Sequence, residues 1–153
     1  MQPILISACL LGILTRYDGL CKRNAQVIDF LRRENLIPVP VCPEQLAGLP
    51  TPRPATCFAE GDGAAVLDGR GRAIRKSDGQ AMNETFLKGA IETMKVARMA
   101  GCRQALLKER SPSCGVHQIH LGEEMRSGRG VTAALLERNG IEIFSEEDLN
   151  RRN

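Results

Sequence analysis

Pro3-Ile4-Leu5-Ile6-Ser7-Ala8, followed at once by Cys9, decides the fold class. The apolar run is too short to span a bilayer and carries no basic leader, so it reads as a buried first strand, not an export signal. A glycine-punctuated loop follows, Leu11-Gly12 through Asp18-Gly19. Val27, Phe30 and Leu31 stand at helical spacing and predict a helix over 25–34. Ile37 to Val41 reads as a second strand, and its Pro38 and Pro40, which remove ladder donors, make it an edge strand or an irregular one. Further along, Phe86, Ala90, Ile91, Met94 and Ala97 predict a long helix over 83–100, stopped at Gly101. Ala105-Leu106-Leu107 is the next strand, 131–139 the next helix, and Ile141 to Phe144 the last strand. Ser145 with Asp148 reads as a capping box opening a final helical turn. Strands alternating with helices predict one α/β domain over 1–153, a mostly parallel sheet flanked by helices. Residues 43–63, rich in Pro and Gly, are expected to form a long loop. Residues 64–76 are expected to form a small inserted β-hairpin turning at Asp68-Gly69, and 116–128 carry little pattern.

Composition excludes several classes. The chain has 153 residues, 42% hydrophobic and 25% charged, ordinary values that argue against disorder and coiled coil. It has no Trp, one Tyr and four Phe, too few aromatics for a single-strand nucleic-acid platform. A net charge of +3, with scattered arginines, gives no strong nucleic-acid signal. The tail Arg151-Arg152 reads as a frayed terminus. No membrane segment is expected, the expected compartment is cytoplasmic, and nothing in the sequence sets the oligomeric state.

Six cysteines are present, Cys9, Cys21, Cys42, Cys57, Cys102 and Cys114. In a cytosolic chain these are reduced thiols, available for a metal site or catalysis. Cys9 and Cys42 directly follow the first and second strands, and Cys114 lies just past the strand ending near Leu107. Ligands in open α/β sheets collect at the carboxyl ends of the strands. Three thiols converging there suit a soft metal or an iron–sulfur cluster. Buried cysteine is also a common core residue, and no compact Cys-x-x-Cys pair is present. Cys102 precedes its strand and is placed at the opposite edge, while Cys21 and Cys57 sit in loops that can reach the site as a fourth ligand. Two other readings stay open: a non-catalytic cluster- or zinc-binding sulfur carrier or sensor, and a metal-free enzyme with Cys57 or Cys114 as nucleophile. His117 and His120 alone are a weak metal signal.

Four motifs carry a resemblance. They are Ser7-Ala8-Cys9-Leu10-Leu11-Gly12 with Arg16-Tyr17-Asp18-Gly19; Val39-Pro40-Val41-Cys42-Pro43-Glu44 with Gly48 to Pro54; Leu107-Lys108-Glu109-Arg110-Ser111-Pro112-Ser113-Cys114-Gly115; and Gly130-Val131-Thr132-Ala133-Ala134-Leu135-Leu136. Together they resemble the DUF 523 family, which includes the 2-thiouracil desulfidases. The resemblance runs nearly end to end. It implies a 4Fe–4S cluster held by Cys9, Cys42 and Cys114, one iron left open, and non-redox removal of sulfur from a thiolated nucleobase, a small-molecule partner.

That chemistry gives the other residues roles. Iron is a Lewis acid for a soft sulfur, and water attacking the thiocarbonyl carbon needs a base. Glu44 is the candidate base, and Ser111 and Ser113 are candidate hydrogen-bond donors to substrate or cluster. Arg16, Tyr17, Asp18, Arg53 and Lys108 are candidate substrate contacts. Each has a plainer alternative: Glu44 as a cap, the serines as turn formers, Arg16, Asp18 and Arg53 as an ion pair across loops, Tyr17 as a buried packing residue, Lys108 as a surface charge. The chain departs from the family pattern at Cys57, where an acid is usual, and at Ala81, with Asn83 left as N-cap of the long helix. The stretch from His120 to Gly130 is shorter than the family's, which alters one wall of the expected pocket.

Overall fold

A computed structural model describes residues 1–151, so Arg152 of the expected tail lies outside the described residues. The strands are β1 (Gln2–Ser7), β2 (Leu36–Val41), β3 (Thr56–Glu60), β4 (Arg72–Arg75), β5 (Gln104–Leu107), β6 (Gln118–Leu121), β7 (Glu124–Ser127) and β8 (Glu142–Ser145). The helices are α1 (Ala25–Arg33), α2 (Pro43–Leu46), α3 (Gly63–Leu67), α4 (Asn83–Ala100) and α5 (Val131–Arg138), with 3₁₀ turns at Ala8–Leu11 and Glu146–Arg151.

The first sheet has the order β2-β1-β5-β8, and every pairing in it is parallel. Alternation along β1 buries both faces, because helices cover both. Ile4 and Ile6 pack with Val27, Phe30 and Leu31 of α1. Leu5 packs with Met94 and Ala97 of α4 and with Leu136 of α5. Phe30 meets Phe144 of β8 edge to face at 5.7 Å. β2 lies at the edge, where its prolines cost fewest ladder bonds.

A second sheet, β4-β3-β6-β7, lies on the far side of α4 and was not anticipated as such. Its core joins Phe58, Ala73 and Ile119 to Phe86 and Ala90 of α4. The expected hairpin over 64–76 is corrected here. Asp62 caps α3 by accepting from the Ala65 N–H at 3.0 Å, Gly69 takes the left-handed turn at φ 77, and β4 pairs with β3 instead. An Asp-Gly pair serves a helix C-terminus as readily as a hairpin turn. The stretch 43–63 is not one loop, since it contains α2 and β3, and the weakly patterned 116–128 holds the antiparallel β6–β7 pair. Asn83 does not cap α4. Its amide bridges to β4, accepting from the Ala73 N–H at 2.7 Å and donating to the Gly71 carbonyl at 3.0 Å. The stop at Gly101 (φ 73) and the capping box hold: Asp148 Oδ2 accepts from the Ser145 N–H at 2.8 Å, and Ser145 Oγ from the Glu147 N–H at 3.2 Å. No described helix is long and apolar enough to cross a membrane.

Candidate active site

Parallel pairing brings the carboxyl ends of β1, β2, β5 and β8 to one edge. Cys9 sits in the 3₁₀ turn after β1, Cys42 is the N-cap of α2 after β2, and Cys114 closes the turn after β5. All three line one cavity of about 470 Å³, within the usual range for a ligand site. Cys102, at the start of β5, is buried in the core at the other edge. Cys57, on β3, is 4% exposed and lines the cavity from the second sheet, and Cys21 does not line it.

The three thiols feel one another. Burial pushes the Cys9 thiol up to about 11, with the Lys108 and Arg16 charges pulling down and Cys42 pushing up. Burial likewise raises Cys42, opposed by the Gln45 backbone N–H. Cys114, 4% exposed, is raised most, again by burial, with the Ser7 hydroxyl acting downward and Cys42 and Cys9 upward. Such thiols are poor free nucleophiles. Binding of a metal deprotonates coordinating thiols outright, so the donor set suits a soft metal group. In a cluster each thiolate binds its own iron, and the three cysteines that line the cavity fit that mode of holding.

Arg53 fastens the loops together. Its guanidinium donates from Nε to Glu44 Oε1 (2.9 Å), from Nη1 to Thr51 Oγ1 (2.9 Å) and Pro50 O (3.2 Å), and from Nη2 to Thr15 O (3.0 Å) and Cys42 Sγ (3.8 Å). All five donors are engaged within the protein. The Cys42 thiol donates to Thr15 O at 3.6 Å, and Ser113 Oγ donates to Glu44 Oε2 at 3.4 Å. Glu44 is thus aimed at the cavity by a cation on one oxygen and a hydroxyl on the other.

Two glycines permit the close backbone approaches behind this geometry. A Cβ on Gly89 of α4 would stand 2.3 Å from Pro43 O, beside Cys42, and one on Gly130 would stand 2.4 Å from the Ser113 carbonyl. Ser111 Oγ accepts from the Ser113 and Cys114 N–H groups, each at 3.1 Å, and shapes that turn while also lining the cavity. Lys108 is no surface charge. Its ammonium pairs with Glu146 Oε2 at 2.9 Å and donates to Glu109 O at 3.0 Å, with 15% of its side chain exposed.

Arg16 pairs with Asp18 at 3.5 Å and lies over the Tyr17 ring, 5.5 Å from its centre. The expected ion pair across loops is therefore two separate pairs, Arg16 with Asp18 and Arg53 with Glu44. Tyr17 lines the cavity but is 43% exposed, not buried, and Asp18 and Ser113 are not among the wall residues. His117 bonds Asp148 at 2.9 Å, whereas His120 lines the cavity. Sequence reasoning missed Ser7, Lys22, Lys76, Glu109, His120 and Glu123 as wall residues. Only Ser7 and Glu109 had a signal, lying inside motifs at strand ends; the others arrive with loops and the second sheet.

Residues 4–148 match the profile of the 2-thiouracil desulfurase family. The chain is 36% identical over 150 residues to the uncharacterized protein YbbK of Bacillus subtilis (strain 168), covering 96% of this chain and 97% of that one. It is similar to the solved structure of the [4Fe-4S]-dependent thiouracil desulfidase TudS (DUF523Vcz), with a TM-score of 0.83, 37% identity, and coverage of 99% of this chain and 95% of that chain.

Proposed function

From the premise that the chain belongs to the 2-thiouracil desulfurase family, we propose that it is a 4Fe–4S-dependent desulfidase that removes sulfur from a thiolated pyrimidine-like base. Cys9, Cys42 and Cys114 would hold the cluster. The observation that carries this reading is that three thiols from three separate strand ends line one cavity. Bound there, the cluster would supply Lewis-acid chemistry suited to a soft sulfur.

The chain's own residues do the rest. Glu44 takes the proton of the water that attacks the thiocarbonyl carbon, and Arg53 and Ser113 fix its carboxylate for that role. Ser111 spends its lone pairs on two backbone amides and keeps its hydroxyl hydrogen to donate into the cavity. The Ser7 hydroxyl, which accepts the Lys108 N–H at 2.9 Å, acts to lower the Cys114 thiol. Arg16 and Tyr17 flank the mouth and orient the base, Asp18 holds Arg16, and Lys108, fixed by Glu146, offsets negative charge beside Cys9. The net change is C=S plus water to C=O plus hydrogen sulfide, with no electron transferred. Six free cysteines among the described residues suit the cytoplasm.

The metal-free thiol reading fares worse. Cys114 is buried with its thiol pushed up, and the nearest sequence candidate for its base, His117, is engaged with Asp148. Anaerobic reconstitution tests the proposal. The expected product is brown, holds about four iron and four sulfide per chain, and releases sulfide from 2- or 4-thiouracil. A colourless protein, or one that takes up zinc and no iron, overturns it; a brown protein inert toward thiolated bases leaves a carrier or sensor.

A further inference from the structure

The loop from Lys108 to Gln118 carries Cys114, and it is organised around one buried carboxylate. Glu109 is 2% exposed. Its Oε1 accepts the backbone N–H groups of Val116 (2.8 Å), His117 (2.8 Å), Gln118 (3.1 Å) and Arg110 (3.3 Å). Its Oε2 is buried, and the Ser145 hydroxyl also acts to lower this carboxyl, but the four backbone N–H groups are all on Oε1. Burial pushes this carboxyl up, but the N–H groups of His117, Gln118 and Val116 outweigh it and hold it below the ordinary carboxylate range.

The residue is itself braced. Its N–H donates to Glu146 Oε1 at 2.7 Å and its carbonyl accepts from Lys108 Nζ at 3.0 Å. Beside it, Arg110 takes a left-handed conformation at φ 67, which a side-chain-bearing residue keeps only where its surroundings enforce it. Gathering three successive amides onto one oxygen forces the chain after Cys114 into a tight arc. Gly115 allows that arc, since a Cβ there would stand 2.6 Å from Gln118 O. Cys114 lies two residues before the first of these amides, between the segment that the Ser111 hydroxyl holds and the one that the Glu109 carboxylate holds.

We propose that Glu109 is a positioning residue for the cluster site, its carboxylate gathering the amides that follow Cys114 and thereby fixing that sulfur toward Cys9 and Cys42. The inference rests on the reading of Cys114 as a ligand, and goes beyond it by naming what holds the ligand in place. Glu109 touches neither substrate nor iron in this role. The charge matters as well as the shape, because hydrogen bonds to an ionised acceptor are roughly twice as strong as neutral ones.

The test compares Glu109→Gln, which keeps the shape, and Glu109→Ala with the wild-type full chain. In the metal-free proteins, alkylation of Cys114 by iodoacetamide is followed by mass spectrometry, with buried Cys102 as internal control. In anaerobically reconstituted proteins, iron release to a chelator is timed. Glu109→Gln is expected to unfold cooperatively yet show Cys114 alkylation and iron release faster by about tenfold or more. Cys102 stays slow, and Glu109→Ala exceeds Glu109→Gln in both rates. Rates within about twofold of wild type in folded variants overturn the proposal. An equal rise at Cys102, or failure of both variants to fold, also overturns it, because the carboxylate then supports the whole fold and not this ligand. If the wild type takes up no cluster, the proposed function falls, while Cys114 alkylation in the metal-free chain still decides this inference.

Discussion

Replacing Arg53 by Ala isolates the contact on which the candidate base depends. The Arg53 side chain is 3% exposed and that of Glu44 is 14% exposed. The substitution leaves a largely buried carboxylate with only the 3.4 Å contact from Ser113, takes the donor from Pro50 O, and leaves Thr15 O with only the Cys42 thiol. Removing one partner of a buried ion pair costs about 3–5 kcal/mol. Glu44 retains some access to water, so the lower end, about 3 kcal/mol, is expected. With a urea slope of about 2 kcal/mol per molar, the unfolding midpoint should fall by about 1.5 M. The double variant Arg53→Ala/Glu44→Gln removes both charges and should lose less stability than the sum of the single losses, with a coupling of about 1–3 kcal/mol. Urea unfolding of the four proteins, followed by circular dichroism, measures the cycle. A loss below about 1 kcal/mol, or strict additivity, would show the pair to be solvated and would refute the buried-clamp reasoning.

Other outcomes follow from the same geometry. Cys42→Ser should abolish iron retention after reconstitution, while Cys102→Ser, at the opposite sheet edge, should leave the iron-to-protein ratio unchanged. Gly89→Ala drives a methyl to 2.3 Å from Pro43 O, so α2 must shift; a loss of about 1–3 kcal/mol in thermal unfolding is expected, with weaker cluster retention through Cys42. The Arg75 guanidinium holds the Asp78 carboxyl at about 2, below its ordinary 3.8. Its contribution is present above pH 3.8 and is lost as pH falls through about 2; an NMR titration should find that low value in the wild type and a higher one in Arg75→Ala, still held below normal by the Gln80 N–H.

Much of the first sheet was legible in the chain. The Ile4-Leu5-Ile6 run, the helical spacing of Val27, Phe30 and Leu31, and the paired prolines of β2 each encode their element locally, because burial on both faces or on one stripe demands those residues. The second sheet was not legible. β6 and β7 are four residues each and β7 is wholly exposed, so no apolar period marks them, and the Asp68-Gly69 pair fits two turn chemistries. The roles of Arg53 and Glu109 were likewise hidden, since their partners lie on other loops or are backbone amides with no side-chain signature. Local chemistry, then, placed a thiol after each of three strands. Only parallel pairing of those strands, with α4 and α5 approaching through Gly89 and Gly130, could bring the thiols to one cavity and add a second-sheet wall. Strand order and close backbone approach depend on contacts between segments far apart in the chain, which no local pattern records.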